Sequence, residues 1–177
     1  MSNSWWILVS MAAFEEALRF GGLVMAHAAY VASDLGPGDI VCPFAVIESH
    51  GVREVITFQS DSQAESIERG KASFNEYKED VTFWGFAREG LFSYVGSVES
   101  KRDVLTVSAW KVGMEEPVIL QQCFLRDEAK KFKLTGSLMI AIHGMISSEA
   151  TQATLRRTVF EGIEQHPQGK CWKAWSE

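Results

Sequence analysis

From Val81 to Ile142 the chain alternates residue by residue in one segment after another, a period of two that suits strands and not helices. Val81, Phe83, Gly85 and Ala87 alternate with Thr82, Trp84, Phe86 and Arg88, and both sets are largely apolar. A strand buried on both faces, central in its sheet, is the expected result. Glu89-Gly90 is expected to turn the chain, because glycine accepts the positive φ of a tight hairpin, with Leu91 to Val95 returning as the next strand. Val104 to Val112 and Val118 to Leu125 continue the pattern on either side of a break at Gly113 to Pro117, with Gln121 and Gln122 on opposite faces. Phe132 to Leu138 sets Lys133, Thr135 and Ser137 against Phe132, Leu134 and Leu138. One polar face of that kind fits an antiparallel sheet with a side toward water.

The first half reads as two helices around a hairpin. From Phe14, apolar or small residues recur in steps of four and three to Leu35, and a second stripe of Phe20, Val24, His27 and Val31 runs beside them. Such a helix needs burial on more than one side. Gly21-Gly22 weakens it by about 1 kcal/mol per glycine relative to alanine, which predicts close packing of another element there. Gly36-Pro37-Gly38 ends it. Val41 to Ile47 and Val52 to Phe58 flank Ser49-His50-Gly51 as a predicted hairpin. Ser62 and Glu65 form a capping-box pattern, and Ala64, Ile67, Lys71, Phe74 and Tyr77 make one side of the helix that follows. A last helix is predicted from Ser148 to about Gln165, with Leu155, Val159, Gly162 and Ile163 inward and His166-Pro167 stopping it.

These elements specify an α+β fold: a mainly antiparallel sheet, a buried N-terminal helix and two further helices packed on it. Residues 1–177 are expected to form a single domain, since no segment has the composition of a linker, with 1–9 and 167–177 as docking or interface segments. A net charge of -6 argues against a general nucleic-acid binder, which needs a basic stripe to displace counterions. Glu15, Glu16 and Arg19 interrupt the apolar N-terminal stretch, so neither a secretory leader nor a membrane span is expected. Three dispersed cysteines, Cys42, Cys123 and Cys171, read as reduced thiols of a bacterial-type cytoplasm.

No spacing among His27, His50, His143, Glu48 and Cys42 matches a metal motif, and the nucleophile-elbow and phosphate-cradle patterns are missing. No metal and no cofactor are therefore expected. His27 reads first as a hydrogen-bonded core histidine, and second as the polar group of a ligand pocket between the first helix and the sheet, with Tyr30, Trp84 and Trp110. Trp5, Trp6, Trp172 and Trp175 crowd the two ends of the chain, where they either dock on the domain or build an interface. The leading expectation is a non-catalytic binding protein acting through a homodimeric or partner-capping surface, acidic and small as immunity proteins are. The alternative is a small-molecule enzyme or ligand-binding protein with its pocket around His27.

Overall fold

A computed structural model describes the backbone of residues 3–36, 38–93, 101–127, 129, 131–144 and 147–177, and within these the side chains from residue 11 onward except that of Ser93. The elements run α1 (Asn3–Asp34), β1 (Phe44–Ser49), β2 (Val52–Thr57), α2 (Gln63–Tyr77), β3 (Phe83–Ser93), β4 (Lys101–Lys111), β5 (Val118–Arg126), β6 (Phe132–Ala141), α3 (Glu149–Gln165) and α4 (Cys171–Ser176). All strand pairings are antiparallel, in the order β2-β1-β3-β4-β5-β6. The α+β class with its buried N-terminal helix is thus as expected, with three further helices instead of two.

Strand alternation sorts the sheet into two faces. Phe44, Val46, Ala87, Leu105, Val107, Ala109, Leu120 and Phe124 meet α1 and α3, while Ala45, Ile47, Trp84, Phe86 and Trp110 meet the α2 layer. α1 lies across β3, β4 and β5 with Ala17, Leu18, Val24, Met25 and Ala28 wholly buried. The predicted close packing at its glycines is present. A Cβ on Gly21 would come within 2.7 Å of Leu120 Cδ1, and one on Gly22 would overlap the Val159 carbonyl of α3. Reciprocally, a Cβ on Gly162 of α3 would overlap the Arg19 carbonyl of α1. Two backbones touch here because neither helix has a side chain at the crossing, which offsets the propensity lost to glycine.

Local chemistry explains most boundaries. Ser62 caps α2 by accepting from Glu65 N at 3.2 Å, and Ser148 caps α3 by accepting from Thr151 N at 3.2 Å. His50 and Gly51, at φ 52° and 77°, make the two-residue turn between β1 and β2. Three expectations are corrected. Glu89-Gly90 does not turn the chain: β3 runs through it, with Glu89 opposite Leu105 and Gly90 opposite Val104, because Arg126 neutralises the buried Glu89 carboxylate. The predicted return strand from Leu91 is the end of β3, and its residues 94 and 95 lie outside the described residues. On α2 the buried residues are Ser66, Gly70 and Ser73, not Ala64 and Lys71, since the small residues let α2 approach Phe86. Further along, β6 carries extra residues between its pairings Met139↔Gln121 and Thr135↔Cys123, with Gly136 at φ 68°. The buried Gln122 amide donates to the carbonyls of Cys123 and Thr135 at 3.0 Å each, satisfying groups this irregularity leaves open. Among the described residues, no helix is long and apolar enough to cross a membrane.

Candidate functional site

The four residues expected to share a pocket are divided by the sheet. His27 and Tyr30 lie on α1, whereas Trp84 and Trp110 belong to the cluster on the opposite face. Around His27 the α1 face is packed core, with Val24, Met25 and Ala28 wholly buried, and the cavity of about 190 Å³ between α1 and the sheet is lined by Phe20, Leu23, Glu48 and Phe83 and not by His27 or Tyr30.

His27 instead meets His166, whose place before Pro167 marks it in the sequence only as the end of α3. Its Nδ1 lies 3.2 Å from His166 Nε2, and the His27 ring stands edge-on to Phe44. The backbone fixes the protons. Gln168 N–H donates to His166 Nδ1 at 3.1 Å, so the proton of neutral His166 sits on Nε2 and is donated to His27 Nδ1. His27 then carries its own proton on Nε2. A metal ion between the two rings is disfavoured, because the His166 nitrogen facing His27 is the protonated one. Burial pulls the pKa of both rings below the ordinary value, and the charge on His27 pulls His166 down further. Among the described residues, no three His, Cys, Asp or Glu side chains converge to hold a metal ion.

Trp84 and Trp110 lie against Phe74 of α2, with ring centroids 5.0 and 5.4 Å from it. Their indole N–H groups are already used: Trp84 Nε1 donates to Ser73 Oγ at 3.0 Å and Trp110 Nε1 to the Met114 carbonyl at 2.8 Å. Only ring faces remain to offer a ligand. A cavity of about 490 Å³ opens beside Trp84, floored by Phe74, Trp84, Ile119 and Ile142 and rimmed by Lys71, Glu116 and His143.

Sequence reasoning missed a buried ion pair at the far end of β3. Arg126 Nη2 donates to Glu89 Oε2 at 2.7 Å, and Val41 N–H donates to the same oxygen at 3.0 Å. Arg126 Nη1 reaches the carbonyls of Asp39 and Gly36 at 2.5 and 3.2 Å, while its buried Nε has no acceptor among the described residues. Burial raises the Glu89 pKa and Asp103 adds to the rise, against the Val41 N–H and Arg126. The pair holds the α1–β1 connection onto the sheet. The available signal was parity, since Glu89 continues the inward series Phe83, Gly85, Ala87.

The terminal tryptophans have separate settings. Trp172 is buried and meets Phe160, and Trp175 stands edge-on to Phe132, so α4 docks on β6. Trp5 and Trp6 fall in the first turns of α1, and their side chains lie outside the described residues. Cys123 is buried, which raises its thiol pKa, while Cys42 is exposed.

The two edges of the sheet contrast most. On β6, Gln152 of α3 accepts from Ile140 N at 3.1 Å and donates to Ile140 O at 2.7 Å, as a neighbouring strand would, and Arg156 donates to the Leu138 carbonyl. On β2 nothing among the described residues pairs with the outer edge, and Val52 and Val55 are 63% and 52% exposed. The chain matches no protein-family model, no curated protein and no solved structure.

Proposed function

We propose that this chain is a non-catalytic binding protein that associates with protein through the outer edge of β2. The observation that carries this reading is the asymmetry of the edges: on one, Gln152 and Arg156 bond the backbone of Ile140 and Leu138 as a strand would, and on the other no described residue pairs with the backbone groups beside the exposed valines. Unpaired edges recruit strands, and proteins that do not use them cover them. Arg53 and Glu54 limit which strand fits, and Arg53 is paired to Glu48 across the hairpin at 2.5 Å. A photo-crosslinking amino acid placed at Thr57 should yield a protein adduct in cells producing the protein, and the same group at Ser137 on β6 should not. Adducts at Ser137 alone, or at neither position, would refute the reading.

The cavity beside Trp84 favours a second reading, a small ligand with a flat apolar body and a polar end. Its volume lies within the usual range of ligand pockets, and its apolar floor with a few rim charges is their usual composition. Titration with an aromatic carboxylate should then change tryptophan emission in the parent protein and leave Ile119→Phe unaffected. Equal responses in both proteins would dismiss this reading.

A further inference from the structure

We propose that the occupant of the β2 edge is a second copy of this chain, paired β2 to β2 antiparallel about a two-fold axis at Val55. The inference rests on the reading of β2 as a docking edge and adds the partner and the register.

The hydrogen-bond phase of the hairpin determines which groups are free. Phe58 N donates to Pro43 O at 2.8 Å, and the register continues as Ile56↔Ala45, Glu54↔Ile47 and Val52↔Ser49. In an antiparallel pair, bonded and non-bonded residue pairs alternate. Val52, Glu54 and Ile56 therefore spend their N–H and C=O groups on β1. Arg53, Val55 and Thr57 turn theirs outward.

A two-fold axis perpendicular to the sheet keeps each face continuous, so residues placed opposite each other must have the same parity. Centring on Arg53 puts two guanidinium groups face to face, and centring on Glu54 does the same with two carboxylates. Centring on Ile56 leaves Arg53 beyond the partner strand. With Val55 at the centre, Val55 meets Val55, Arg53 meets Thr57 and Glu54 meets Ile56. No like charges are directly opposite. Every outward N–H and C=O of Arg53, Val55 and Thr57 gains a partner in both copies, and the exposed Val55 side chains cover each other. The result is a closed, isologous dimer with one continuous sheet.

A six-residue strand buries less than the about 800 Å² per partner of a standard interface, so the dimer should dissociate on dilution. Sedimentation equilibrium up to millimolar concentration tests this, with circular dichroism confirming that each variant folds. The parent protein should show a monomer–dimer equilibrium. Val55→Lys and Val55→Glu should each weaken it at least ten-fold, because like charges then meet on the axis, and an equimolar mixture of the two should recover a heterodimer. A monomeric parent protein would overturn the inference, and an adduct to a different protein at Thr57 would still leave the docking edge standing. Dimers indifferent to both variants, or lost in both and not recovered on mixing, would overturn the register.

Discussion

β2 and β6 are both edge strands of one antiparallel sheet, yet they meet solvent in opposite ways. β6 has α3 lying along it, with Gln152 bonded to both backbone groups of Ile140 and α4 docked through Trp175 on Phe132. β2 has only β1. The difference teaches that an edge is closed by what packs beside it and not by its own residues. β6 carries Lys133 and Ser137, polar enough to face water, and is covered; β2 carries Val52 and Val55 and is open. The position of α3 decides this, and α3 is held by its glycine crossing with α1 and by the Arg19–Glu161 ion pair at 2.7 Å.

The largest way to break the comparison is to lift α3 from β6. Gly162→Ala places a methyl group on the Arg19 carbonyl and should destabilise the fold by about 3 kcal/mol, since backbone cannot give way as a side-chain tip does. Denaturant titration measures this, and a stability within error of the parent would mean that the helices do not touch there. Next, Gln152→Ala leaves the Ile140 N–H and C=O without partners, at a cost of about 1–3 kcal/mol, and opens the second edge. Light scattering should then show association beyond a dimer, whereas Gln152→Glu, which keeps the acceptor and loses the donor, should fall between.

A smaller effect comes from pH. Both rings of the His27–His166 pair have folded-state pKa values depressed below 6.5, so their contribution to stability is fully present above the unfolded value. It is lost as pH falls below about 6.5 through the folded values, because the unfolded chain takes up the protons first. Protonation also leaves two donors facing each other, either at His27 or at Gln168 N–H. Melting temperature should fall between pH 8 and pH 5 by more in the parent than in His27→Gln, whose amide oxygen can still accept from His166 Nε2. Parallel curves would remove the pair as the cause. The smallest expected effect is on the open edge itself: Val55→Lys should alter unfolding stability by less than about 0.5 kcal/mol while weakening self-association at least ten-fold. A large loss of stability would show Val55 to be packed within the monomer.

Much of this architecture was legible in the residues. The alternating segments became β3 to β6, Ser62 and Ser148 capped the helices they precede, and His50-Gly51 made its hairpin. These features are local: a cap, a turn and a period each depend on residues within a few positions of one another. The double apolar stripe of α1 likewise required burial on two sides, and the sheet and α3 supply them. Glu89-Gly90 was misread because the local rule for a turn was overridden by Arg126, thirty-seven positions away. On α2, Phe74 and Tyr77 pack on the sheet as their spacing requires, but Ser66, Gly70 and Ser73 make the closest approach, because small residues and not large ones let the backbones come together.

The sequence by itself determined most of the long elements, the two-sided burial of α1 and that the class is α+β, because period and capping are properties of neighbouring residues. Only the tertiary structure decided that His27 would find His166, 139 positions away, and that the His27 and Trp84 groups would be parted by the sheet. The same holds for the edge α3 covers. An amphipathic pattern records that a surface is buried but not what buries it, and the partner is selected by shape and hydrogen-bond complementarity between segments far apart in the chain.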